Sequence, residues 1–446
     1  MKLVYDVHER PPFAKNLLYA FQQLLAVIAA TILVPTLVNN GSGTELLNHG
    51  AAMIGAGMGT LVYLLFTRFK SPVFLGSSFA FISPLVSAAA FGYWGILLGA
   101  LIAGLVYVVI ALVVRFVGTN WIDKLMPPII IGPVVALIGL DLSTSAIGNL
   151  SSSISNTSTG SLLAQLIGLL TFFITVFVSV KGGKGLRMIP FVIGVLGGYA
   201  LAAAITLVGY NVLNVADCRL VDFSAFSKIS DFGNWVPNFT AAHAWDFDMA
   251  NFLTIFVAFA PVAFVVFAEH IADHKNISSI VNRDLLKDPG LDKTLLGDGV
   301  GSIVGALFGG CPNTTYGESV GCVAITRNAS VSTTLTTALM CIGFAFFYPL
   351  LAFVETIPTC VIGGICIALY GFIAVSGLRM FRHVDLEKPR NLFVVASVLV
   401  CGIGGFEVVI GNVTIKKVAC ALIIGIITNL LLNGGKKADA AEEDAE

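Results

Sequence analysis

Apolar residues run along this chain in long blocks separated by short polar stretches, and the length of the blocks carries more information than any short periodicity within them. A helix needs roughly 17 to 25 apolar residues to cross a bilayer, with allowance for short or broken spans. On that measure the first half holds segments near 14–38, 51–67, 73–88, 94–116, 126–147, 162–180 and 188–209. A second set follows near 251–271, 294–310, 313–326, 331–354, 357–377, 391–411 and 414–432. The pattern predicts an all-α polytopic membrane protein with 14 transmembrane segments, seven in each half. Residues 1–13 form a polar leader to the first repeat (14–209), residues 210–250 connect it to the second repeat (251–432), and 433–446 read as a disordered tail.

The sidedness of positive charge tests that count, because a wrong number of crossings scatters Lys and Arg over both faces. With the N-terminus inside, only Arg219, Lys228, Lys416 and Lys417 of the 25 basic residues fall on the outer side. Both ends are therefore expected in the cytoplasm, with SSSISNTSTG (151–160) and the 210–250 connection facing outward. An odd number of crossings per half forces the second half to insert upside down, the inverted-repeat plan of many secondary transporters.

Traces of a repeat are visible. MPPIIIG (126–132) opens the fifth segment and IPTCVIG (357–363) opens the twelfth. LGSSFAFISP (75–84) in the third sits opposite PNTTYGES (312–319) in the tenth, each polar and rich in helix breakers. Interrupted segments at matching places in two halves point to a ligand site near the membrane midplane, since unwound backbone carries N–H and C=O groups that need partners.

Composition agrees. The chain is 57% hydrophobic and 11% charged, with a mean hydropathy of +0.90, against about 25% charged for a soluble domain. Its 46 glycines suit close helix packing in a bilayer. Seven of the eight cysteines lie in apolar runs, Cys218 being the exception, with no spacing that reads as a zinc or disulfide framework. The polar start MKLVYDVHERPPFAK does not read as a cleavable signal. No HExxH, hydrolase or nucleotide-binding motif suggests an enzyme, a metal, a cofactor or nucleic acid.

Charged residues inside apolar spans are expensive and need a reason. In segment eight, ANFLTIFVAFAPVAFVVFAEHIADHKN, Glu269 reads as functional, while Asp273, His274 and Lys275 read as boundary residues reaching water. Asp273 lies one turn beyond Glu269, so the two also form a possible carboxylate pair along one face. Glu318 is the second functional candidate, flanked by Gly317 and Gly321, which allow close backbone approach. Asp298 in LLGDGVGS reads equally as a cap on a helix break or as a contact of the polar segments. Asp141, Glu355 and Glu407 fall near outer ends and read as solvated; Tyr370 reads as packing whose hydroxyl needs a partner. Two carboxylates facing unwound backbone suit a small, planar, neutral ligand with alternating N–H and C=O groups, and a carboxylate held away from water suits proton carriage.

QQLLAVIAATILVP (22–35), LGSSFAFISP, AEH (268–270) and PNTTYGE together resemble the nucleobase-ascorbate transporter (nucleobase:cation symporter) family, and its bacterial uracil permease branch most closely. The resemblance runs from about Glu9 to segment fourteen. It implies short antiparallel strands in segments three and ten, a core domain (segments 1–4 and 8–11) and a gate domain (5–7 and 12–14). Homodimers and elevator-type alternating access are implied by the same resemblance. Residue by residue, it implies that Glu269 and Glu318 accept from ring N–H groups, and that Phe79 and Gly317 offer backbone N–H groups to the carbonyls. It further implies that Ala30, Tyr316 and Ser78 line the pocket and that Tyr370 faces it from the gate. Three positions depart from the family pattern: Gln22-Gln23 for Gln-His, Asp273 for His, and Ser319 for Asn. They mark Asp273 as a proton-coupling candidate beside Glu269, and Gln23 and Ser319 as possible site residues.

The expected activity is import of uracil across the plasma membrane, the inner membrane of a bacterium, by proton symport. A xanthine or uric acid permease of the same family is the alternative, and an anion transporter or channel of related fold is an alternative from another class. An anion site calls for Lys or Arg at the helix breaks, and segments three and ten hold none before Arg327.

Overall fold

The computed structural model describes residues 3–183, 185–237, 239, 242, 249, 251–382, 384–410 and 413–433. The charged tail expected to be disordered, and part of the outward connection, lie outside the described residues. Helices dominate, as the length of the apolar blocks requires. α1 (Phe13–Ser42) starts where Pro12 ends an extended entry and stops at left-handed Gly43. α2 (His49–Phe66) is capped by the Asn48 side chain, which accepts from the Ala51 N–H at 3.0 Å. Then come β1 (Leu75–Ser77), a 3₁₀ turn at Phe79–Phe81 and the short α3 (Ile82–Ala89). Next are α4 (Gly92–Val117), α5 (Asn120–Leu125), α6 (Pro128–Leu150), α7 (Ser158–Lys181) and α8 (Pro190–Ile205).

The second half opens with α9 (Phe252–Val281) and α10 (Leu291–Leu307), followed by β2 (Asn313–Thr315) and α11 (Gly317–Thr326). α12 (Val331–Phe344) and α13 (Tyr348–Glu355) meet at a bend of 77°. Pro349 in the first turn of α13 supplies no N–H to continue a straight ladder, which accounts for a break inside the expected eleventh segment. α14 (Thr359–Met380), α15 (Pro389–Ile403), a hairpin of β3 (Val408–Ile410) and β4 (Val413–Ile415), and α16 (Lys417–Asn433) complete the chain. Among the described residues eight helices are long and apolar enough to cross a membrane, and nine if α12 and α13 form one bent span. The expected thirteenth segment ends early, at Ile403, because Gly404 and Gly405 turn the chain into the hairpin.

The helices gather into two compact units. One contains the described residues within Met1–Val113 and Thr144–Ala368, and the other those within Val114–Ser143 and Leu369–Glu446. In the second unit Asp141 is half-buried and paired with Lys417 rather than solvated. Burial of the carboxylate on α6 is made tolerable by that ammonium at the start of α16. Glu355 of the first unit and Glu407 of the second are exposed, as their positions near segment ends suggested.

The first unit depends on a glycine seam between α2 and α10. A Cβ on Gly55 would lie 2.6 Å from the Gly310 Cα and 2.8 Å from the Gly305 carbonyl. One on Gly301 would lie 2.8 Å from the Gly59 carbonyl, and one on Gly305 2.8 Å from that of Gly55. Backbone meets backbone here because no side chain stands between, the small-residue packing that takes the place of hydrophobic drive inside lipid. The apolar core beside it collects Val27, Met53, Phe74, Tyr316, Cys341 and Leu351 from segments distant in sequence.

Gly305→Ala puts a methyl against the Gly55 carbonyl and is expected to destabilise the protein by about 1–3 kcal/mol, the usual cost of overpacking. Thermal unfolding of the purified variant in detergent reads the effect; an unchanged midpoint would mean that the seam can open at no cost.

Candidate functional site

Two helix breaks face each other in the first unit. Leu75, Gly76 and Ser77 pair antiparallel with Thr315, Thr314 and Asn313 respectively. Two three-residue strands satisfy few of their own backbone groups, and neighbouring side chains supply the rest. Thr60 Oγ1 accepts from the Leu75 N–H at 3.0 Å. Ser302 Oγ accepts from the Asn313 N–H at 3.0 Å and donates to the Asn313 carbonyl at 3.2 Å. The Ser78 N–H donates to the Pro312 carbonyl at 2.9 Å and the Tyr316 N–H to the Phe74 carbonyl at 3.1 Å.

Tyr316 closes the arrangement. Its hydroxyl donates to the Ser77 carbonyl at 2.9 Å, and its ring covers Gly76, where a Cβ would collide with it. Gly76 is therefore glycine for want of space. Ser319, one of the three positions that depart from the pattern of the resembled family, is fully buried and knots four elements together. Its Oγ accepts from Gln23 Nε2 at 2.9 Å and from the Phe74 N–H at 3.2 Å, while Gln23 Oε1 accepts from Thr337 Oγ1 at 3.0 Å. Gln23 and Ser319 thus act on one another in the structure.

The carboxylates stand along α9 and at the start of α11. Glu269 and Glu318 are both half-buried, and Glu318 sits in the first turn of α11, where the leading N–H groups have no intrahelical partner. Glu269 and Asp273 stand one turn apart on α9. Asp273 Oδ2 accepts from Thr315 Oγ1 at 2.7 Å, and a Cβ on Gly317 would lie 3.9 Å from Asp273 Oδ1. The structure thus brings Glu269, Asp273, Gly317 and Glu318 to one place, with Phe79 half-buried and Ser78, Ala30 and Tyr316 buried at the adjoining break and helix. Ser78 Oγ is buried with no partner among the described residues. Tyr370, buried on α14, belongs to the second unit.

Asp273 and His274 are corrected by the structure, since neither reaches water at a membrane boundary. α9 continues to Val281, two turns beyond them, so the helix end lies well past the expected limit of 271. His274 is fully buried, its Nδ1 donating to the His270 carbonyl at 2.8 Å and its Nε2 lying 2.6 Å from the Tyr63 hydroxyl. Lys275 alone of the three is exposed.

Asp298, left open between two readings, is a partner of α9. Its Oδ2 lies 2.8 Å from His270 Nδ1, and His270 Nε2 lies 3.0 Å from Thr294 Oγ1. His270 and Thr315 were not singled out from the sequence. The signal for the first was a second ionisable residue next to Glu269, and for the second the threonine alternation in NTTYG. Among the described residues no group of three His, Cys, Asp or Glu could hold a metal ion.

The Permease family model matches residues 14–411. The uracil permease of Bacillus caldolyticus is 38% identical over 443 residues, 98% of this chain and 96% of that protein. Those of Bacillus subtilis (strain 168) and Escherichia coli (strain K12) are 37% and 35% identical over 95% of this chain, and are themselves covered to 94% and 93%. Among solved structures, the transmembrane domain of the cyanobacterial bicarbonate transporter BicA is similar with a TM-score of 0.60 at 15% identity, covering 95% of this chain and 100% of that one. The murine anion transporter Slc26a9 in its inward-facing state gives 0.64 at 11% identity, covering 96% and 69%. These two show a shared fold.

Ser319→Ala leaves the Gln23 amide and the Phe74 N–H without their acceptor, and a buried unmatched donor costs about 1–3 kcal/mol. A lowered thermal midpoint in detergent is expected. A midpoint equal to that of the parent protein would mean that both donors find other partners.

Proposed function

The chain belongs to the Permease family, and its relatives compared above are named uracil permeases; from this premise we propose that it imports uracil by proton symport. The observation that carries the reading is the convergence of Glu269 and Glu318 on the paired helix breaks beside the unpartnered Ser78 hydroxyl. Uracil presents ring N–H groups and carbonyls alternately around a flat ring. Glu269 and Glu318 accept from the N–H groups, and the N–H groups of Phe79 and Gly317 donate to the carbonyls. Ala30, Tyr316 and Ser78 line the site, and Ser319 and Gln23 hold the break in shape.

In this reading the fourteen segments form two inverted repeats, with both termini cytoplasmic in the plasma membrane. Segments 1–4 and 8–11 form a core that carries substrate past a gate of segments 5–7 and 12–14, in a homodimer. Unwound backbone where a span is broken supports a midplane site, since such backbone is tolerated only where protein or a cavity receives it. Glu269 takes up the proton that travels with uracil. Asp273, held by Thr315 one turn away, stands where the family pattern has His and sets how readily Glu269 does so.

Uptake of labelled uracil into proteoliposomes tests this directly. An inward proton gradient is expected to raise uptake and a protonophore to remove the stimulation; uptake indifferent to both would sink the coupling, and strong competition by xanthine with weak uracil uptake would make the substrate a purine. Glu269→Gln is expected to reduce uptake to background. Asp273→Asn keeps an acceptor for Thr315, and is expected to retain uptake while displacing its pH dependence.

A further inference from the structure

His270 follows Glu269 directly on α9 and is fully buried, as is its partner Asp298 on α10. Donor accounting at this pair leads to a specific state. Thr294 Oγ1 donates its single proton to the Leu291 carbonyl at 3.1 Å, so toward His270 it accepts, and His270 Nε2 carries a proton. The remaining ring nitrogen, Nδ1, faces Asp298 Oδ2 at 2.8 Å. A lone pair on nitrogen against a carboxylate oxygen would repel at that distance. One proton therefore lies between them, whether it is written as imidazolium with carboxylate or imidazole with carboxylic acid.

The surroundings make this proton necessary. Asp298 Oδ1 and the Tyr107 hydroxyl are both buried without a partner among the described residues, so the bond to His270 is the carboxyl's single hydrogen bond there. The Tyr107 ring on α4 stands edge-on to His270, with centroids 6.3 Å apart. The His274 ring stacks on His270 at 4.1 Å, and Tyr63 on α2 reaches His274. Glu269 and Asp273 on α9 and Glu318 on α11 are the remaining ionisable groups nearby, and no lysine or arginine stands among these neighbours to hold Asp298 charged on its own. Removal of the proton would leave a buried carboxylate with no donor, which costs far more than an exposed one.

We propose that His270 and Asp298 form a one-proton site, distinct from Glu269, whose occupancy holds α9 against α10 and so fixes the position from which Glu269 meets substrate. His270 and Asp298 are positioning residues. The inference rests on the reading of Glu269 as a substrate carboxylate. It adds that substrate affinity depends on a proton that stays with the protein.

The test uses the full chain, purified, with two readouts. In the first, ¹⁵N NMR of histidine side chains without ligand, with His270 assigned by its loss in His270→Gln, is expected to show Nε2 protonated at neutral pH. A His270 ring with bare Nε2 would overturn the donor assignment. In the second, equilibrium binding of uracil is measured from pH 5.5 to 9.5. The parent protein is expected to lose affinity at least tenfold toward the alkaline end. Asp298→Asn offers Nδ1 an amide N–H that does not titrate, and is expected to make that loss at least threefold smaller, the remainder belonging to the Glu269 proton; His270→Gln, which removes the titrating ring, decides the point if the Asn variant does not fold. An alkaline loss as large in a folded variant as in the parent would assign it to Glu269 or Asp273 and end the proposal. Absence of uracil binding by the parent at every pH, with the NMR result as expected, would count against uracil as the substrate and leave the one-proton site standing.

Discussion

A polypeptide that breaks its helix inside an apolar medium must find a partner for every N–H and C=O it releases. The first unit is organised by that requirement. Two breaks, after α2 and after α10, are joined into an antiparallel pair, and the groups which three-residue strands leave over are taken up by Thr60, Ser302, Tyr316 and Ser319. Each of these side chains is buried, so each bond is made where water does not compete. The short helix α11 then begins at a defined point with Glu318 in its first turn.

Close approach of the helices on either side makes the pairing possible. α2 and α10 each lead into one strand, and the strands meet because Gly55, Gly59, Gly301 and Gly305 let the two backbones touch. A side chain at any of these positions would move the helices apart and with them the strands. The glycine content that suits close helix packing in a bilayer is used here for a local purpose, setting the spacing of two breaks. The polar groups of α9 then face a surface of fixed geometry: Asp273 meets Thr315 of β2, and His270 meets Thr294 and Asp298 of α10.

The membrane character, the two broken segments and the candidate carboxylates Glu269 and Glu318 were legible in the sequence, because each is a local departure from an apolar background. The burial of Asp273 and His274 was not. Their spacing from the end of an apolar run placed them at a boundary, yet the helix continues to Val281 and their partners come from Tyr63 and Thr315, which no local pattern connects to α9. The bend between α12 and α13 and the hairpin that shortens the penultimate apolar stretch were likewise hidden, since hydropathy averages over a turn of three or four residues.

Taken alone, the sequence determined the membrane character of the chain and the two breaks rich in polar residues and glycine, because transfer of a side chain or a peptide group into an apolar medium depends on that group and its immediate neighbours. Tertiary structure decided which buried polar groups find each other. Ser319 accepts from the Gln23 amide and the Phe74 N–H, and Asp298, which could have capped a helix, faces His270. Hydrogen bonds are directional and short, so pairs on different elements of the chain are selected only once the helices have packed and the positions left for their partners are few.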